Sequence, residues 1–227
     1  MKEWWEQAAE AAEERTEESK KEQRGVKAGD SFLLVCEGEV TEPTYFKELK
    51  NLLGARVAEV KVLPSKRSNP DSIISFAEKE RQKREKLAGK GKAICYDHVW
   101  AIIDADVPVS ERNLHQLVQQ ADKAKVKLAF SYPCFEFWLV LHVSHNPPAL
   151  GSQPKKVCAQ LLTKAGYPIS NTDNQRELNR IITPLTALYQ DALNNTLPRH
   201  KLDRNAPTDP QTEVHLLIQD LLYSLTP

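Results

Sequence analysis

Acidic residues directly follow two short apolar runs in this chain of 227 residues. Glu37 follows the apolar residues 32–36, and Asp104 and Asp106 follow the apolar residues 99–103. A carboxylate at the end of a wholly apolar run is costly unless it is hydrogen-bonded or bound to a metal ion. These three acids are therefore the first candidates for a cation-binding site.

The elements that would position these acids belong to an α/β fold. Short apolar runs are typical of strands buried on both faces. Gly38 permits a tight turn after Glu37, and Pro43 is typical of the first turn of a following helix. Short connections between alternating strands and helices favour a mainly parallel sheet, and ligands of such sheets bind beyond the carboxyl ends of the strands. The predicted strands are 32–36, 57–63, 99–103 and 126–131, with helices from Thr41, from Asp71 or Ser72, and over 110–125.

Glu37, Asp104 and Asp106 can converge, because adjacent parallel strands lie about 4.8 Å apart. Carboxylate oxygens are the ligands that Mg²⁺ and Mn²⁺ prefer, and such ions keep several waters for a phosphate substrate. A cation held in this way polarises a phosphoryl oxygen and activates water. The sequence therefore predicts a site for metal-dependent phosphoryl chemistry.

Two further features add candidates. Glu136 lies in the most apolar segment of the chain, 131–142, beyond another predicted strand. It could serve the site, cap a backbone group or form an ion pair. Lys66 and Arg67 lie in a polar loop, 64–70, that leaves the strand ends. These two basic residues predict a site that binds a substrate phosphate between them. The alternative is that they are surface residues of a solvated loop without a ligand.

Composition excludes some classes of protein. The 31 basic and 31 acidic residues balance, which removes a global electrostatic argument for nucleic acid binding and leaves local patches open. No apolar run approaches the length of a membrane span, and the first residues lack a signal pattern, so we expect a cytoplasmic protein without membrane contact. Four cysteines without a CxxC pair predict buried free thiols.

The chain divides into three parts by composition. Residues 1–29 form a charged N-terminal arm, and residues 30–145 are the predicted catalytic domain. Residues 146–227 are predicted to be a helical C-terminal extension that packs on the same domain, with helices over 155–165 and 176–193 and an amphipathic helix near the end.

Four ordered stretches, 36–46, 103–106, 132–142 and 210–217, resemble the RloB-like family, and the resemblance covers about residues 31–222. That family is similar to the TOPRIM-fold nucleases of OLD and AriB type and is associated with restriction-modification and abortive-infection loci. The resemblance implies a TOPRIM-like sheet and a Mg²⁺- or Mn²⁺-dependent endonuclease of anti-phage defence, acting on DNA or RNA, with tRNA included. It also implies an ABC-type ATPase as partner and leaves a homodimer open.

By resemblance, Glu37, Asp104 and Asp106 are catalytic, Asp104 and Asp106 hold a first metal, and Glu42 and Glu136 complete a second. Glu37 is implied as a metal ligand or as the group that positions and deprotonates water. Glu42 lies five residues after Glu37, where the OLD pattern has four, so Glu39 is a rival for its role. No lysine matches the catalytic lysine of OLD-type enzymes, which leaves the cation of the transition state unassigned.

Other functions remain as alternatives. The first is a regulatory subunit that docks on the ATPase and is inactive, or active only within the complex. A topoisomerase or primase is disfavoured because no nucleophilic-tyrosine domain or zinc module is present. A flavodoxin-like nucleotide-binding protein is disfavoured because the strand ends offer acids and no phosphate-binding glycine loop.

Overall fold

A computed structural model describes residues 30–54, 59–66, 69–105, 111–169, 175–196, 200–203 and 208–224, with only the backbone described at 111–113 and 175–177. The predicted N-terminal arm, Arg67 and Asp106 lie outside the described residues.

The elements of the first half alternate as the sequence predicts. The strands are β1 (Ser31–Cys36), β2 (Glu59–Pro64), β3 (His98–Asp104) and β4 (Lys127–Tyr132), and the helices between them are α1 (Thr41–Leu53), α2 (Pro70–Ala88) and α3 (Glu111–Ala124). The second half, mostly helical, contains α4 (Glu136–Leu141), α5 (Pro154–Lys164), α6 (Gln175–Thr186), α7 (Tyr189–Asn195), β5 (Gln211–Thr212) and α8 (Val214–Tyr223).

The sheet has the order β2-β1-β3-β4-β5, and its strands are parallel except that β5 runs antiparallel to β4. The predicted α/β class with a mainly parallel sheet flanked by helices is confirmed. β1 and β3 are neighbours, with Cys36 opposite Ile102. Glu37, directly after β1, and Asp104, the last residue of β3, therefore lie at the same end of the sheet. β5 was not predicted, because two residues are too short for a periodic pattern.

Hydrophobic clusters cover both faces of the sheet, as expected for buried parallel strands. On one face, Phe32 and Leu34 of β1 pack in a cluster that includes Leu178 of α6 and Leu217 of α8. On the other face, Leu33 and Val35 pack with residues of α2 and α3. The C-terminal elements therefore share a core with the first strand.

Two sequence predictions are corrected. The helix predicted over 176–193 is divided into α6 and α7, because the chain turns at Ala187 and Leu188. Cys95 is exposed, whereas Cys36, Cys134 and Cys158 are buried, and all four thiols are free. Cys95 lies in the connection just before β3, outside the apolar run itself. Among the described residues, no helix combines the length and the apolar character needed to cross a membrane.

Candidate functional site

Glu37 and Asp104 meet where β1 and β3 end. The backbone N–H of Glu37 donates to Ile102 O at 3.0 Å, which continues the β1–β3 ladder by one residue. The N–H of Asp104 donates to Glu37 Oε2 at 2.9 Å. The parallel register thus brings together two acids that are far apart in the sequence.

Glu42 turns back toward the same edge from the first turn of α1. Its Oε1 accepts a hydrogen bond of 3.2 Å from the N–H of Gly38, and its side chain is buried. A β-carbon built on Gly38 would lie 2.0 Å from Glu42 Oε2, so glycine is what allows the carboxylate to pack there. Glu39, the rival for this role, is exposed.

Glu136 is brought to the site by the start of α4. The N–H of Phe135 donates to Asp104 Oδ1 at 2.9 Å, which holds this helix against the end of β3. Glu136 is only 7% exposed, and its Oε2 has no hydrogen-bond partner within the described parts of the chain. A buried carboxylate oxygen without a partner is costly, so this position favours a cation.

Lys155 is the basic residue of the site. It lies in the first turn of α5, and its Nζ is 3.8 Å from Asp104 Oδ2, with 64% of its side chain exposed. The charge of Glu136, followed by that of Asp104, raises the pKa of Lys155. We call Glu37, Glu42, Asp104, Glu136 and Lys155 the acid cluster.

The carboxylates of the acid cluster disfavour one another's ionisation. Burial raises the pKa of Glu42 to about 7, and the charge of Glu136 adds to this effect, while backbone N–H groups and Lys155 oppose it. Burial also raises the pKa of Asp104, together with the charges of Glu42 and Glu136. One lysine does not compensate this much buried acid.

The donor set fits a divalent cation by its chemistry. As the side chains lie, no three His, Cys, Asp or Glu residues of the described ranges are grouped closely enough to hold a metal ion, and Asp106 is outside those ranges. The oxygens are nevertheless hard ligands of the kind that Mg²⁺ and Mn²⁺ bind. A cation would also relieve the repulsion at Glu42 and Asp104 and supply a partner for Glu136 Oε2.

The sequence of the chain matches the family model described as RloB-like protein over residues 32–221. The chain belongs to the RloB-like family. No curated protein and no solved structure matches it.

The region matched to the RloB-like family contains the whole acid cluster, from Glu37 to Lys155. Of the other predicted site residues of this RloB-like protein, Lys66 is exposed in the loop after β2. The N–H of the preceding Ser65 donates to Cys36 O at 2.8 Å, so Lys66 lies close to the end of β1.

Lys155 was missed because nothing in its local sequence distinguishes the pair Lys155-Lys156 from a solvated pair at a helix start. The usable signal was Pro154, which predicts the helix start that carries this lysine.

Proposed function

We propose that this RloB-like protein is a metal-dependent nuclease that hydrolyses phosphodiester bonds. The supporting observation is the acid cluster, in which the ends of two neighbouring parallel strands and the starts of two helices bring four carboxylates together with one lysine. Parallel α/β sheets bind their ligands at this edge. Hard oxygen donors with uncompensated charge are typical of sites for divalent cations.

In this proposal Asp104 and Glu37 hold a first Mg²⁺ or Mn²⁺, together with Asp106, and Glu42 and Glu136 hold a second. When bound, such ions act as Lewis acids on phosphoryl oxygens and lower the pKa of bound water. Glu37 is a ligand or the group that orients and deprotonates the attacking water. Without metal, burial raises the pKa of Glu42 to about 7, so a cation bound by Glu42 competes with a proton near neutral pH.

Lys155 supplies the positive charge that sequence comparison left unassigned. Its pKa is raised, so its ammonium stays charged at neutral pH, and its exposed side chain has room to move from Asp104 toward a substrate. A positioned cation stabilises the negative charge that develops on a phosphoryl oxygen in the transition state. Lys66, in the neighbouring loop, is placed to contact a second phosphate of a polymeric substrate.

The four motifs resemble the RloB-like family, which is similar to nucleases of phage-defence loci, and this supports nucleic acid as the substrate and a cytoplasmic role in anti-phage defence or abortive infection. DNA, RNA and tRNA all present the phosphodiester that the acid cluster would act on. An ABC-type ATPase encoded beside the protein is the proposed partner.

A conditionally active subunit of that ATPase complex is the second candidate. It is favoured by the way the described acids are engaged with the backbone, since Glu37 Oε2 accepts from the N–H of Asp104 and Asp104 Oδ1 accepts from the N–H of Phe135, each at 2.9 Å. In this alternative the cluster closes around the metal only when the partner is bound.

A nuclease assay with Mg²⁺ or Mn²⁺ on DNA, RNA and tRNA, with and without the neighbouring ATPase, tests the proposal. We expect metal-dependent cleavage by the wild type and none by Asp104→Asn. Asp220→Asn, at the far end of the sheet, is the control and should cleave normally. Cleavage only with the ATPase would favour the conditional subunit, and equal cleavage by Asp104→Asn would contradict both candidates.

A further inference from the structure

A buried hydrogen bond joins the two helices that carry Glu42 and Glu136. The hydroxyl of Tyr45, on α1, lies 3.0 Å from Nε2 of His142, which directly follows α4. Both side chains are almost fully buried. Neither residue was a candidate for function from the sequence.

The chemistry of the two groups fixes the direction of this hydrogen bond. Burial lowers the pKa of His142 to about 4, so its ring is neutral at physiological pH. Its Nδ1 lies 2.9 Å from Trp138 O, which can only accept, so we assign the ring proton to Nδ1. Nε2 is then an acceptor, and the hydroxyl of Tyr45 donates to it.

The placement of this bond connects it to the acid cluster. Tyr45 lies one helical turn after Glu42, so both project from similar sides of α1. The ring of His142 is tied to the backbone of α4, whose first residue is Glu136. The Tyr45 ring also contacts Phe135, the residue before Glu136, at a centroid distance of 5.7 Å.

We propose that Tyr45 and His142 are positioning residues that fix the separation of Glu42 and Glu136 and thereby set the affinity of the acid cluster for a divalent cation. Carboxylates close enough to share a cation repel each other when both are ionised, and this repulsion favours a larger separation of the starts of α1 and α4. The hydrogen bond between Tyr45, one turn after Glu42, and His142, at the far end of α4 from Glu136, resists that separation. The inference rests on the proposed metal site and concerns only how that site is held.

Tyr45→Phe tests the inference because it removes the hydroxyl and keeps the ring with its packing. The matched control is Ser31→Ala, which removes another buried hydroxyl, hydrogen-bonded to Asp97 Oδ2 at 2.8 Å near the start of β1. The readouts are the Mn²⁺ dissociation constant, from titration, and the rise in melting temperature that Mn²⁺ causes. Both variants should lower the metal-free melting temperature, because each loses a buried hydrogen bond.

We expect Tyr45→Phe to weaken Mn²⁺ binding by about 10-fold or more, the scale found when residues that orient metal ligands are changed. Ser31→Ala should bind within about twofold of the wild type. His142→Gln carries the same test if Tyr45→Phe does not fold. The double variant should lose little more Mn²⁺ affinity than either single one, because both remove the same bond.

Wild-type Mn²⁺ affinity in Tyr45→Phe, with a lowered metal-free melting temperature, would show that the bond is only structural and would overturn the inference. Additive losses in the double variant would do the same. The proposed function is checked separately by Asp104→Asn. If the wild type and Asp104→Asn bind Mn²⁺ equally, the metal site and this inference both fail.

Discussion

Acidic side chains lie close to basic ones at both ends of the parallel sheet, but the two ends differ in how completely the acids are paired. Where the strands begin, Asp220 of α8 accepts from Trp100 Nε1 at 3.0 Å and from Lys127 Nζ at 2.7 Å. His98 Nδ1 is 3.1 Å from the same carboxylate, and Ser31 donates to Asp97. We call Ser31, Asp97, His98, Lys127 and Asp220 the paired cluster.

The acid cluster, where the strands end, lacks this compensation. Its carboxylates accept mainly from backbone N–H groups, its one lysine is 3.8 Å from the nearest acid, and Glu136 Oε2 has no partner among the described residues. A paired acid contributes to stability, whereas an unpaired buried acid costs stability. The comparison therefore separates a cluster whose charges are compensated from the cluster that we propose as the functional site, whose charges are not compensated.

The largest expected effect comes from exchanging one acid in each cluster for its amide. Glu136→Gln should lower turnover by about 10²–10³-fold, the scale for loss of a positioned electrostatic group, and should preserve or raise metal-free stability. Asp220→Asn should leave turnover of the folded protein unchanged and cost about 1–3 kcal/mol of stability, because it weakens charged hydrogen bonds. Single-turnover cleavage and urea unfolding on the same preparations measure both.

If Glu136→Gln is fully active, Glu136 is not part of the functional site. If Glu136→Gln unfolds readily while its folded fraction cleaves normally, then Glu136 has a structural partner and the contrast between the clusters is lost.

The next effect is in the pH dependence of stability. Between pH 4.5 and about 7, Glu42 keeps a proton in the folded protein that the unfolded chain has released. The folded state therefore binds more protons, and stability falls as pH rises through this window. A shift from 4.5 to about 7 corresponds to up to about 3 kcal/mol, and Glu42→Gln should remove this loss.

The measurement is the difference in unfolding free energy between Glu42→Gln and the wild type across this pH range in the absence of metal. Burial lowers the pKa of His142 and His215 to about 4, so their titration makes stability rise with pH, opposite to the effect of Glu42. Both histidines are present in the variant and in the wild type, so their contribution cancels when the two unfolding free energies are subtracted. Relative stability of Glu42→Gln should grow with pH and level off above pH 7. A constant difference from pH 4.5 to 8 would contradict the raised pKa of Glu42.

The smallest effect is expected from Gly38→Ala. Its new methyl group would occupy the place of the Glu42 carboxylate, which must move away. Because a flexible side chain can move, the fold should survive, while turnover should fall by about 10-fold, as when a residue that orients a ligand is changed. Gly89→Ala is the control, since a β-carbon there would come no closer than 3.6 Å to the atoms around it. Equal turnover in both alanine variants would count against a positioned Glu42.

The sequence predicted the parts of the acid cluster that depend on short patterns. Glu37 and Asp104 each end an apolar run, and the βα alternation placed both runs in one parallel sheet. The burial of Glu42 could not be predicted, because it depends on the backbone path at Gly38. Lys155 could not be found either, since only the packing of α5 against α4 brings it to Asp104, the last residue of β3.

The paired cluster shows the same limit. His98 and Asp97 had no distinguishing pattern in the sequence, and their partners Asp220 and Ser31 come from the two ends of the described chain. Sequence patterns therefore located the acids, but they did not reveal which acids have their charge compensated by hydrogen bonds and basic side chains.

The most direct test of the acid cluster as a metal centre is a Mn²⁺ titration of the wild type, Asp104→Asn and Asp220→Asn, followed by calorimetry or by the electron paramagnetic resonance of free Mn²⁺. The wild type and Asp220→Asn should bind Mn²⁺ with the same affinity. Asp104→Asn, which removes a charged oxygen ligand, should bind at least about 10-fold more weakly. Equal binding by Asp104→Asn, or loss of binding in Asp220→Asn, would contradict the assignment of the metal site to the ends of β1 and β3.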